Sequence, residues 1–158
     1  MPSLSQCIAL IPALYLLAVA TPLTVIDLRE HRLPNRLVLP VFPIALLAQI
    51  VAATIESDWV PLASAVGLAL ATFLVGLLAN YFDWLGMGDV KLASGIALVL
   101  GFFAPLLPVV SIGLAFVLAF LAICFQLVRG SVKIGSSIPL GPYLLLSCFG
   151  SLAWQLIS

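Results

Sequence analysis

Two aspartates stand apart from the other charged residues of this chain. Asp27 closes an uncharged stretch over residues 1–26, and Asp89 lies in Gly86-Met87-Gly88-Asp89-Val90-Lys91-Leu92, ahead of another long uncharged run. Two carboxylates a few ångströms apart suit hydrolysis of a peptide bond: an ionised one activates water while a protonated one donates to the carbonyl oxygen. Like charges so close do not both ionise cheaply, so the pair shares one proton and titrates as a unit. Gly86 and Gly88 take side chains away from the approach to Asp89 and would let a substrate strand lie beside it. Lys91 can contact substrate or simply carry positive charge at a membrane face. Asp27 leads into Arg29-Glu30-His31-Arg32-Leu33-Pro34-Asn35, in which Pro34-Asn35 signals a turn before the next apolar run.

Spacing alone leaves a plainer alternative open, because acidic residues at helix ends also serve as interfacial charges or partners of helix N-termini. Glu56, Asp58 and Asp83 are read in that way. His31, within Arg-Glu-His-Arg, reads as a solvated loop residue. Arg29, Arg32, Arg36, Arg129 and Lys133 are accounted for by membrane orientation and anionic headgroups. Cys7, Cys124 and Cys148 each sit alone in apolar surroundings with no CxxC spacing, so they act as small hydrophobes and supply no metal ligands. Asn80 and Gln126 are candidate hydrogen-bond partners between helices, and Gly67, Gly76, Gly95, Gly101 and Gly113 candidates for close helix packing.

The elements that must position the aspartates follow from composition. The chain has 158 residues, 64% hydrophobic and 8% charged, with a mean hydropathy of +1.31. A soluble domain carries roughly 25% charged residues, so a soluble enzyme, a disordered chain and a disulfide scaffold are excluded. Six basic and six acidic residues balance to zero net charge, leaving no field to attract nucleic acid. This is the composition of an integral membrane protein.

Charged clusters at 27–36, 56–58, 83–91 and 129–133 divide the chain into uncharged intervals. A span needs about 20 apolar residues to cross a hydrocarbon layer of about 30 Å. Four intervals fit one helix each, and the interval from 92 to 128 suits two, broken at Pro105-Leu-Leu-Pro108. The sequence therefore predicts an all-α polytopic membrane protein of six transmembrane helices, forming one domain over 1–158. No Lys or Arg precedes the first apolar run, which reads as a retained span and not a cleaved signal. With six alternating spans, all six Lys and Arg fall on one side, with the loops 27–36, 83–91 and 129–137. The positive-inside rule places those loops in the cytoplasm and both termini outside. Trp59 and Trp84 are positioned as interfacial anchors.

The combination of D-x-R-x-x-x-L-P-N at Asp27 with G-x-G-D at Asp89 is far more specific than either alone. With the late Ile138-Pro139-Leu140-Gly141-Pro142-Tyr143, it resembles the type IV prepilin peptidases, polytopic aspartic proteases of the GxGD kind. The resemblance covers nearly the whole chain. It implies that Asp27 and Asp89 are the catalytic pair, supported by Gly86, Gly88, Lys91, Pro34 and Asn35, with no cofactor and no metal. The substrates it implies are prepilin-like precursors with a basic leader and an apolar helix, cut at the cytoplasmic face of the inner membrane. Other partners would be membrane lipids and pilus or secretion assembly machinery, not nucleic acid. Long members also carry an N-terminal CxxC extension and methylate the new N-terminus. With Asp27 directly after the first helix, the resemblance is to short, peptidase-only members such as those of Flp/Tad pilus systems, and no methyltransferase activity is expected. The competing reading is a small proton- or cation-coupled transporter or channel using the same aspartates.

Overall fold

The computed structural model describes residues 4–30, 32–129 and 139–157, and among them every regular element is a helix. α1 (Leu4–Ala9) and α2 (Ile11–Glu30) follow one another across Leu10. α3 (Asn35–Val38) and α4 (Val41–Glu56) do so across a two-residue turn. α5 (Val60–Tyr81), α6 (Met87–Gly101), α7 (Leu107–Val128) and α8 (Gly141–Ile157) complete the order. Each apolar interval read from the charges thus holds helix, and the uncharged stretch 92–128 holds most of α6 and all of α7. His31, Lys133 and Ile138, with most of the 129–137 loop, lie outside the described residues.

Among the described residues, four segments are long and apolar enough to cross a membrane by themselves: Leu4–Glu30, Asn35–Glu56, Val60–Tyr81 and Leu107–Val128. α6 and α8 have 15 and 17 residues. They rise only about 22 and about 25 Å, less than a hydrocarbon layer of about 30 Å. The break between α6 and α7 also starts earlier than the proline pair suggests. α6 ends at Gly101, residues 102–106 turn, and Pro108 lies in the first turn of α7. There its missing N–H removes no helical hydrogen bond.

α6 is the axis of the molecule. Val90 and every residue from Leu92 to Gly101 are buried, and α3, α4, α5, α7 and α8 all pack on it. A helix apolar on all sides must be enclosed by others, and small residues let them approach. A Cβ on Gly76 would lie 2.7 Å from Val90 Cγ1, one on Gly95 2.7 Å from Val41 Cγ1, and one on Gly101 3.0 Å from the Ala65 Cα. Gly67 and Gly113 do not share this role, since a Cβ at either would meet nothing within 4 Å.

Polar side chains within the helices are few. Gln49 is fully buried and its Nε2 donates to the Leu98 carbonyl at 2.8 Å, tying α4 to α6. Asn80 does not bridge helices; its Nδ2 donates to the Leu85 carbonyl at 2.8 Å and closes the turn that follows α5. The outer faces carry Leu70, Leu74 and Val75 on α5 and Val117, Phe120 and Leu121 on α7, all exposed. A surface so continuously apolar is a surface for lipid. Trp59 and Trp84 are exposed at opposite ends of α5, and the Trp84 ring stacks on Phe82 with centroids 5.3 Å apart.

Candidate active site

Asp27 lies in the last turn of α2, Asp89 in the first turn of α6, and both wall one pocket of about 330 Å³ at the same end of the bundle. Residues 62 positions apart in sequence are thereby brought together by helix packing. Arg32, Leu33, Asn35, Gly86 and Lys91 supply other parts of the wall.

The Asp27 carboxylate is buried at 4% exposure, and its Oδ2 accepts the Gly141 backbone N–H at 2.9 Å. Gly141 opens α8. The first N–H groups of a helix have no partner within it, and the next residue, Pro142, has none to offer. The Gly141 N–H therefore goes to Asp27, where the positive end of the α8 dipole also favours a negative charge. The contact requires glycine: a Cβ at position 141 would stand 2.7 Å from Asp27 Oδ2 and 3.2 Å from Leu33 Cδ2.

Asp89 is held differently. Its Oδ1 is buried and has no hydrogen-bond partner among the described residues. Gly86, the extended residue preceding α6 (φ −66°, ψ 141°), leaves room for the other oxygen, since a Cβ there would lie 3.1 Å from Asp89 Oδ2. Gly88 lines the pocket and also meets a neighbour that the sequence does not reveal. The space it leaves is filled by Leu33, whose Cβ would lie 2.8 Å from an added Cβ. The Gly88 backbone thus lets the Leu33-Pro34-Asn35 turn dock against α6. Pro34, extended at φ −69° and ψ 126°, precedes α3, and Lys91 Nζ donates to Asn35 Oδ1 at 3.0 Å. The lysine clasps the two segments that bear the aspartates.

Asp83, Glu56 and Asp58 are not in the pocket wall. Asp83 is exposed and turns the chain with a left-handed backbone, φ 59°. Glu56 and Asp58 are exposed at the far end of the bundle. Among the described residues, no group of three or more His, Cys, Asp or Glu side chains gathers as a metal would need. Sequence reasoning had the Ile-Pro-Leu-Gly-Pro motif but not its task, and it passed over Leu33. The available signal was a glycine before a proline at a helix start, which leaves one forward N–H for an anion. A buried carboxylate oriented by a backbone donor and a half-buried one whose inner oxygen has no hydrogen-bond partner among the described residues share this pocket, and together they can activate water and donate a proton to the same carbonyl.

Comparison with known proteins places the chain in a family. Residues 14–130 match the model of the type IV leader peptidase family. The chain is 33% identical over 135 residues to the prepilin leader peptidase/N-methyltransferase of Vibrio cholerae serotype O1, covering 79% of this chain and 48% of that protein. It is 34% identical over 150 residues to the protein of the same name from Aeromonas salmonicida, covering 90% of this chain and 48% of the other. The chain thus spans about half the length of these relatives. No solved structure matches it.

Proposed function

Since the chain belongs to the type IV leader peptidase family, we propose that it is a membrane-embedded aspartic endopeptidase that removes the leader from prepilin-like precursors. The observation that carries the reading is the shared pocket of Asp27 and Asp89, with the Gly141 N–H on Asp27 and an oxygen on Asp89 that has no partner among the described residues. Asp27, oriented and stabilised as the anion, takes a proton from water as the water oxygen attacks the scissile carbonyl carbon. Asp89 carries the shared proton and gives it to the carbonyl oxygen. Collapse of the tetrahedral intermediate breaks the C–N bond, the leaving nitrogen receives the proton held by Asp27, and Asp89 regains its own. The scheme uses only the side chains of the pocket and water.

Ion translocation would favour carboxylates at mid-depth along broken helices, whereas Asp27 and Asp89 lie at helix ends on one side of the bundle. Arg29, Arg32, Arg36, Lys91 and Arg129 lie near the ends of helices on that side, which favours a cytoplasmic location for the pocket in the inner membrane and an outside location for the termini. A precursor with a basic leader and an apolar helix would present its junction at that depth.

The purified protein in detergent is expected to cut such a precursor at the leader junction, with both fragments identified by mass spectrometry. An intact precursor under these conditions, together with proton flux in proteoliposomes, would establish the transporter instead. In a background with the three native cysteines replaced, Ser57→Cys should react with an impermeant thiol reagent in intact cells and Arg32→Cys should be protected. The reverse pattern would put the pocket on the wrong face.

A further inference from the structure

Asp89 belongs to two cavities. Besides the polar pocket it touches a second, apolar groove of about 460 Å³, whose walls come from α5 and α7, with Val90 and Ala93 of α6 and Leu144 of α8 also lining it. Resting on the peptidase reading, we propose that this groove seats the apolar helix of the precursor on the C-terminal side of the scissile bond, and that Thr72 and Phe116 help to determine which helix is accepted.

Its dimensions suit a helix. On α5 the wall includes Leu68, Thr72, Val75 and Ala79, one face of the helix over three turns and about 16 Å of rise. On α7 it includes Val109, Ile112 and Phe116, again the residues of a single face. Between these rails lies Ala93 of α6, a short side chain of the kind that lets one helix approach another in lipid, where van der Waals contact replaces the hydrophobic effect as the driving force. An apolar stripe laid into a trough between two helices is a recurrent way of recognising helical segments.

Its position suits a substrate. α6 begins at Met87 and runs away from the pocket, while Val109 stands near the start of α7 toward the opposite end of the bundle. The groove therefore extends from Asp89 along the bundle toward the far face. Val75 is 70% exposed and Val109 61% exposed, so the trough is open sideways to lipid and a helix already in the bilayer can enter without leaving it. Apart from Asp89, Thr72 is the one polar side chain in the wall among the described residues. A helix lying there would bring the residues that precede it onto the carboxylates, with the leader beyond the pocket.

The test uses a precursor with a basic leader, a glycine at the junction and an apolar helix of about 20 residues. Thr72→Trp, which fills the groove, is expected to raise KM for this precursor by about tenfold or more with kcat little changed. Leu14→Trp, in the separate apolar groove between α2 and α8, should leave both constants as they were. Independently, p-benzoylphenylalanine in place of Phe116 should, in the Asp27→Asn protein, cross-link uncleaved precursor through its apolar helix, and the same group in place of Leu14 should not. An unchanged KM in a folded Thr72→Trp protein, or capture from position 14 and not 116, or capture of phospholipid alone at 116, overturns the groove assignment while leaving the peptidase intact. If Thr72→Trp does not fold, the cross-link decides. Failure of the unsubstituted protein to cut any precursor removes both readings together.

Discussion

Acidic residues stand at both ends of this bundle, and their surroundings differ completely. At the far end Glu56 accepts a hydrogen bond from the Ser5 hydroxyl, while Asp58 Oδ1 accepts the Val60 N–H at 3.0 Å as α5 begins. Both side chains are exposed, and they fasten α1 to α4 and start a helix. At the pocket end Asp27 is buried and oriented from across the molecule, and Asp89 keeps a buried oxygen without a partner among the described residues. Residue type is the same in both places. Burial and the source of the hydrogen bond separate a carboxylate that holds structure from one available to a proton.

That contrast is broken most directly by removing the carboxylates one at a time. Asp27→Asn and Asp89→Asn should each lower precursor cleavage by on the order of ten-thousandfold, since members of a unit fail singly. Glu56→Gln and Asp58→Asn should stay within about twofold, the usual scale for exposed substitutions. Initial rates normalised to folded protein measure both, and a large loss at Glu56 would end the distinction between the two ends.

Gly141→Ala should lower turnover by on the order of a hundredfold, because displacing Asp27 by about 1 Å is enough for that. Gly150→Ala in the same helix meets nothing within 4 Å, so it should match the unsubstituted rate. Activity should also fall on both sides of a pH optimum. At low pH the pair holds two protons and has no base; at high pH it holds none and has no acid. Glu56→Gln should leave both limbs of that profile where they are, and displacement of either by this change would tie the far end to the chemistry. The smallest effects concern stability. Gly88→Ala, pressed against Leu33, should cost about 1–3 kcal/mol, whereas Gly67→Ala, in open space within α5, should gain about 0.5–1 kcal/mol. Thermal melts in detergent give the two signs.

Much of this was readable from residue order. Charge clusters located the helices because carrying an ion into hydrocarbon is costly, and the motif pair singled out Asp27 and Asp89. What periodicity could not give was depth and neighbourhood. The all-apolar run of α6 looks like any span, yet its burial on every side makes it the axis, a property of its neighbours. The neighbour of Gly88 is hidden for a similar reason: a missing side chain shows that space is needed but not that Leu33 lies against it. The Gly141 contact with Asp27 joins residues whose proximity no local pattern encodes.

That contact also sets a clock. Its partners are 114 residues apart, so Asp27 enters the membrane long before its donor has been made. At roughly 5–20 residues per second of synthesis the interval is roughly 6–23 s. During that time the first aspartate lacks both Gly141 and, for most of it, Asp89. Emergence of α8 is therefore the event that supplies the donor to Asp27, and the nascent chain passes through most of its insertion before that contact can form.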